Sequence, residues 1–177
     1  MFIRMLKLDE DIRSQYDLST HACAIHAAAP CPKEIKQQMM RWWGPILWEY
    51  YAGTERNGTC VIGPQDWLAH PGSVGRAYNS VLRICDESGK ELTAGEEGMV
   101  YFEQNVRSFE YHNAPDKTRA ATHPIHDNWT SLGDVGYVDE EGFLYLTDRK
   151  AYMIISGGVN IYPQEIEDAL ILHETVR

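Results

Sequence analysis

Pro32-Lys33-Glu34-Ile35-Lys36-Gln37-Gln38-Met39-Met40-Arg41-Trp42-Trp43-Gly44-Pro45-Ile46-Leu47-Trp48-Glu49-Tyr50-Tyr51 holds a helix and the strand that follows it. Pro32 fits the first helical position, where its missing N–H would have no intrahelical partner anyway. Ile35, Met39 and Trp42 fall at i, i+4 and i+7 and make one apolar face. Gly44-Pro45 stops the helix, and Ile46–Tyr51 then reads as a buried strand. Upstream, Thr20–His26 reads as a second short buried strand. Strand, helix, strand is the pattern of a parallel βαβ unit.

Outward from this unit, residues 1–20 carry a helical pattern. Past Pro71 the texture changes. Val81–Cys85 and Gly98–Phe102 are strand-like, and Gly136–Asp139 and Phe143–Leu146 flank the turn signal Asp139-Glu140-Glu141-Gly142. Residues 103–128 are polar and predict loop with one short helix. Tyr152–Ile155 predicts a last apolar strand, and a helix opens at Pro163 with Glu165, Glu167 and Asp168 in its first turns, where acids suit the macrodipole. The fold class is mixed α/β: a βαβ piece over 1–75, a small antiparallel barrel or sheet over 76–148, and the beginning of a small α+β unit over 149–177.

At 177 residues with 44% apolar content the chain is long and apolar enough for a real core. A net charge of −10 argues against a nucleic-acid or anionic-membrane binder, which needs a basic surface. There is no run long enough to span a membrane, and Met1–Leu8 mixes charge into its apolar positions, unlike a secretion signal. Cys23, Cys31, Cys60 and Cys85 form no C-x-x-C pair and read as reduced core thiols, which implies a cytoplasmic protein. His21, Cys23, His26 and Cys31 would not converge on zinc, because alternation along a strand sends His26 to the opposite face from His21 and Cys23. His123 and His126 read as a solvent-exposed pair, and the five tryptophans as core or interface anchors.

Four runs carry chemistry: Tyr50-Tyr51-Ala52-Gly53-Thr54-Glu55, Thr130-Ser131-Leu132-Gly133-Asp134, Asp148-Arg149-Lys150, and Ser156-Gly157-Gly158-Val159-Asn160-Ile161-Tyr162-Pro163-Gln164-Glu165-Ile166-Glu167. Tyr51 offers a ring for stacking, Gly53 a close backbone approach, Thr54 a hydroxyl donor, and Glu55 a hard oxygen ligand for Mg²⁺. Asp134 has the acceptors for two ribose hydroxyls, and Arg149 the donors for ribose or phosphate. Taken singly, each run is a strand end or a turn; their order and spacing give them weight.

In that order the four runs resemble the adenylate-forming (AMP-binding) superfamily, and within it the acyl-CoA synthetases, the fatty-acid CoA ligases above all. The resemblance implies ATP, a carboxylic acid and CoA as substrates, Mg²⁺ as cofactor, and AMP as a product. It assigns Thr54 and Glu55 to catalysis, with Glu55 on the metal. Tyr51, Gly53, Asp134 and Arg149 go to the nucleotide, and Ala27-Ala28-Ala29-Pro30 becomes the adenine-lining run, with His26 at the floor of an acyl pocket. Gly157 and Gly158 become the loop lining the pantetheine channel. In the tyrosine run the glycine falls one place late, and in the threonine-glycine-aspartate run Ser131-Leu132 is altered while Asp134 is kept. The hinge position, usually lysine or aspartate, is Ala151. The family's serine/threonine/glycine-rich phosphate loop and its C-terminal lysine have no counterpart in these residues. The expectation is about the middle third of a typical member, inactive alone and self-associating through a raw edge at residues 20–51. Two alternatives stand beside it: a non-catalytic nucleotide-binding or assembly module, and an enzyme that uses a carrier-protein thiol.

Overall fold

The computed structural model describes residues 1–149, 152, 154–156, 159–171, 173, 175 and 176. Two short helices open the chain, α1 (Phe2–Leu6) and α2 (Glu10–Arg13). The helical pattern of the first twenty residues is interrupted at Asp9, whose extended backbone starts α2 and whose residue type favours a helix start over a helix interior. β1 (Ala24–Ala27), α3 (Lys33–Trp43) and β2 (Leu47–Ala52) follow. β1 and β2 pair in parallel, from Ala24 opposite Leu47 to Ala27 opposite Tyr50, so the βαβ unit forms as its pattern predicts. β3 (Thr59–Ile62), α4 (Pro64–Ala69) and β4 (Arg76–Ala77) extend it to a four-stranded sheet in the order β1-β2-β3-β4. At four and two residues, β3 and β4 are too short for a periodic signal, and their pairing is set by tertiary contact.

The first two strands are not buried on both faces. Alternation turns Leu47, Glu49 and Tyr51 inward, while Ile25, Trp48, Tyr50 and Val61 stand exposed on the outer face. The cysteines divide in the same way: Cys60 and Cys85 are core thiols, but Cys23 is exposed and Cys31 only half-buried.

The second sheet is antiparallel and open, not a closed barrel. It contains β5 (Val81–Cys85), β6 (Gly98–Glu103), β7 (Trp129–Thr130), β8 (Asp134–Val138) and β9 (Leu144–Arg149), ordered β5-β6-β8-β9 with β7 paired to the far end of β6. The one short helix of the polar stretch is α5 (Pro115–Ala120). The β8–β9 turn is tied by Asp139 Oδ1, which accepts from the N–H groups of Glu141 and Phe143. β10 (Ile154–Ser156) and β11 (Val159–Ile161) pair antiparallel before α6 (Pro163–Ile171). Asp148 Oδ2 accepts from Gln164 N at 3.4 Å and ties β9 to the start of α6. Among the described residues no helix is long and apolar enough to cross a membrane.

Two cores lie under these sheets. Met39, Met40, Leu47, Ile62, Trp67 and Phe143 fill the first; Cys60, Ile84, Val100, Phe102 and Leu144 fill the second. Leu144 joins the sheets: its carbonyl accepts from Val74 N and Ser73 Oγ, and its N–H donates to Gly75 O. Gly75 sits at φ +100°, where a Cβ would lie 2.0 Å from Val61 O, so only glycine permits that closure. The histidine pair is a correction. His123 is buried, contacts Gly89 O through Nε2 at 2.8 Å, and packs on Trp129, while only His126 is exposed.

α3 also buries a charge that its apolar face did not announce. Lys36 is fully enclosed, its Nζ 2.5 Å from Glu49 Oε2 and 4.8 Å from the Trp67 ring centroid. His26, opposite Glu49 in the parallel register, brings Nε2 to 3.5 Å from the same carboxylate oxygen. Burial first, then the Lys36 charge, pushes the His26 imidazole down to about 4 from its ordinary 6.5. A depressed histidine gives stability that is complete above its unfolded pKa and lost as pH falls through the folded one. The melting temperature should therefore fall between pH 6.5 and 4, by a stability loss of up to about 2 kcal/mol. His26→Gln, followed by the same thermal melts, should flatten that stretch of the profile.

Candidate functional site

Ligands in open α/β sheets sit beyond the carboxyl ends of parallel strands. β1 ends at Ala27 and β2 at Ala52, side by side. The expected adenine-lining run Ala27-Ala28-Ala29 and the expected Tyr51–Glu55 run are therefore brought to the same end of the sheet. Ala28 turns the chain there at φ +74°, a left-handed backbone rare for a residue with a Cβ.

Inward alternation along β2 points Tyr51 at the second sheet. Its ring packs on Phe102 with centroids 6.0 Å apart, and its hydroxyl donates to Asp134 Oδ2. Asp134 opens β8, is 5% exposed, and lies opposite Arg149 of β9 in the antiparallel register. Arg149 Nε donates to Asp134 Oδ1 at 2.9 Å, and more than half of its side chain remains exposed. A phenol, a carboxylate and a guanidinium thus form one hydrogen-bonded chain across the junction of the two sheets. Burial, then the neighbouring Asp134 charge, pushes the Tyr51 phenol upward, so it stays a donor. The Asp134 charge raises Arg149, which stays a cation. The loop that delivers Asp134 is shaped by Gly133 at φ +84° and by Ser131 Oγ, which accepts from Gly133 N at 3.0 Å.

Gly53 packs closely under two side chains that a larger residue would displace. A Cβ there would lie 2.4 Å from Leu132 Cδ1 and 2.9 Å from Glu55 Oε2. The Tyr51–Glu55 loop consequently lies against the loop that carries Asp134. Thr54 is exposed and donates to Glu55 Oε2 at 3.2 Å, and Tyr111 donates to Glu55 Oε1 at 3.0 Å. Among the described residues no group of three or more His, Cys, Asp or Glu is placed to hold a metal. A lone carboxylate is nevertheless the usual protein contribution to Mg²⁺ that is otherwise held by phosphates and water. Gly157, Gly158 and the hinge position Ala151 lie outside the described residues.

Three contributors were not read from the sequence: Phe102 behind Tyr51, Leu132 over Gly53, and Tyr111 on Glu55. An aromatic hydroxyl inside the polar 103–128 stretch was the available signal for Tyr111. Tyr111 also lines a cleft of about 750 Å³ with Arg107, Pro115, Thr118, Arg119 and His123, whereas Tyr51, Asp134 and Arg149 do not border it. Chemically, the buried carboxylate between a phenol and a guanidinium fits vicinal hydroxyls, and the exposed guanidinium beside it fits a phosphate.

Comparison with known proteins supplies a relationship. The AMP-binding enzyme family matches residues 1–108. A long-chain-fatty-acid–CoA ligase of Bacillus subtilis is 37% identical over 164 residues, covering 92% of this chain and 29% of the relative. A 2-succinylbenzoate–CoA ligase of Bacillus cytotoxicus is 34% identical over 159 residues, covering 89% and 32%. Among solved structures, the O-succinylbenzoate coenzyme A synthetase of Bacillus subtilis in complex with ATP and magnesium ion aligns with a TM-score of 0.74 at 25% identity, over 95% of this chain and 36% of that one. The chain thus spans about a third of the length of the relatives it matches. With the family match extending over more than half of its residues, the chain belongs to the AMP-binding enzymes.

Proposed function

We propose that the chain is the nucleotide-holding part of an ATP-dependent acid–thiol ligase. In that reaction a carboxylate oxygen attacks the α-phosphorus of ATP and pyrophosphate leaves; the CoA thiol then attacks the acyl carbon and AMP leaves. The Tyr51–Asp134–Arg149 chain beside the Glu55 loop carries the reading. Asp134 takes the ribose hydroxyls on its free lone pairs, and Arg149 reaches ribose or phosphate. Tyr51 holds Asp134 and walls the adenine side with Ala27, Ala28 and Ala29. Gly53 lets the loop backbone approach the ligand, and Thr54 donates to the phosphates. Glu55 fits Mg²⁺, which when bound neutralises phosphate charge. None of these side chains attacks the substrate; they orient it and stabilise charge. The roles of Gly157 and Gly158 toward CoA rest on the sequence resemblance alone.

A fatty or other hydrophobic acid is the preferred substrate, supported by the name of the Bacillus subtilis relative. The division at residues 75 and 149, a cytoplasmic location, and self-association through the apolar face of Ile25, Trp48 and Tyr50 belong to the same reading. The rival is a non-catalytic nucleotide-binding module. A non-hydrolysable fatty acyl-sulfamoyl adenosine tests the ligase reading. It should bind about tenfold or more tighter than AMP by calorimetry, since acyl and nucleotide ends then share one site. Equal affinity for the two supports the rival. The 177 residues alone should release no carboxylate-dependent pyrophosphate; release above that of Glu55→Ala contradicts the inactivity.

A further inference from the structure

Resting on that reading, we propose that Tyr111 is a positioning residue for Glu55: its hydroxyl fixes one carboxylate oxygen so that the other is presented to a nucleotide-bound divalent cation. The phenol donates to Oε1 at 3.0 Å, while among the described residues Oε2 has only the longer 3.2 Å contact from the exposed Thr54. A carboxylate accepts at about four lone-pair sites, so these two donors leave acceptor capacity on Oε2.

Both ends of the Tyr111–Glu55 contact are anchored, which separates a positioning residue from a chance surface contact. On the tyrosine side, Tyr111 N donates to Thr118 Oγ1 at 2.9 Å, and that buried hydroxyl donates to Ala114 O at 3.2 Å. Ala114 N returns a bond to Tyr111 O, and Phe109 packs edge-on at 5.1 Å. On the glutamate side, Gln104 Nε2 donates to Arg56 O at 3.1 Å and to Asn57 O at 2.8 Å. Asn57, fully buried, donates to Thr130 O at 3.3 Å, four residues before Asp134. The backbone just after Glu55 is thus tied to the segment that leads to Asp134, while Tyr111 is held within its own turn, and the phenol–carboxylate contact bridges the two. Donors behind a metal carboxylate typically govern metal affinity by about 10- to 100-fold.

The test is calorimetric titration of the whole chain with ATP in Mg²⁺, ATP in EDTA, and AMP in EDTA. It compares wild type, Tyr111→Phe, Glu55→Gln and the double variant, with thermal melts on each. Tyr111→Phe keeps the ring and its Phe109 contact. It should cut the Mg²⁺-dependent gain in ATP affinity by about tenfold while leaving AMP affinity and the melting temperature unchanged. Glu55→Gln should abolish the gain, and the double variant should add nothing further. A gain that survives Tyr111→Phe, or an equal loss of AMP and Mg²⁺–ATP affinity, overturns the positioning role. A wild type that binds AMP but shows no Mg²⁺-dependent gain overturns it while leaving the nucleotide reading intact. A wild type that binds neither nucleotide overturns both.

Discussion

Lys36→Met is expected to destabilise the fold by about 3–5 kcal/mol, because it strands Glu49 as a buried, uncompensated charge. Lys36 is 0% and Glu49 8% exposed, and their 2.5 Å contact is the main compensation that either charge has. Burial is the largest influence on both groups: it draws Lys36 down and Glu49 up, each toward its neutral form, while their attraction opposes the shift. Burial still disfavours a charge on His26, so its imidazole 3.5 Å from Glu49 is a poor replacement for the lysine. Replacing both partners, Lys36→Met with Glu49→Leu, should recover most of the loss, because an apolar pair of similar volume removes the desolvation cost as well. Urea denaturation of the two single variants and the double variant measures all three. Two single losses that simply add in the double variant would show that the two charges are not coupled. Glu49 is two residues before Tyr51 on the same face of β2, so the ion pair also holds the strand that carries the candidate site.

Asp134→Ala should weaken AMP binding by about 10- to 100-fold, the scale of hydrogen bonds to a charged acceptor. Two effects combine. The ribose hydroxyls lose their acceptor, and the Tyr51 hydroxyl and Arg149 Nε lose the group that aligns them. Tyr51→Phe keeps the ring against Phe102 and should weaken binding less. Calorimetric titration with AMP ranks the three proteins. A Tyr51→Phe loss equal to that of Asp134→Ala would move the ribose contact from the carboxylate to the phenol.

The parts of this molecule that were legible in the sequence are those with a period or a fixed chemical order. The i, i+4, i+7 face of α3 together with Gly44-Pro45 marked one helix and the strand after it. Asp139–Gly142 marked the β8–β9 hairpin, and Pro163 marked α6. Short elements were not legible: β3 and β4 acquire strand geometry only by pairing with neighbours, and tertiary context overrides so brief a local signal. Burial was legible for faces but not for exceptions. Lys36 reads as a surface lysine and lies in the core, and Ile25 and Trp48 read as interior and face outward. In the candidate site, Tyr51, Asp134 and Arg149 were legible as a set, and the structure joins them directly. Tyr111 was not, because its partner Glu55 lies 56 positions away and no local pattern connects a polar loop to a strand end.

The central claim is that one nucleotide sits at the carboxyl ends of β1 and β2, between the Glu55 loop and Asp134. A crystal structure of the chain soaked with AMP addresses it most directly. Ribose oxygens should lie within hydrogen-bonding distance of the Asp134 carboxylate, Arg149 on ribose or phosphate, and the adenine beside Tyr51 and Ala27–Ala29. AMP bound on any other surface, or no AMP on an intact Tyr51–Asp134–Arg149 chain at saturating concentration, contradicts it.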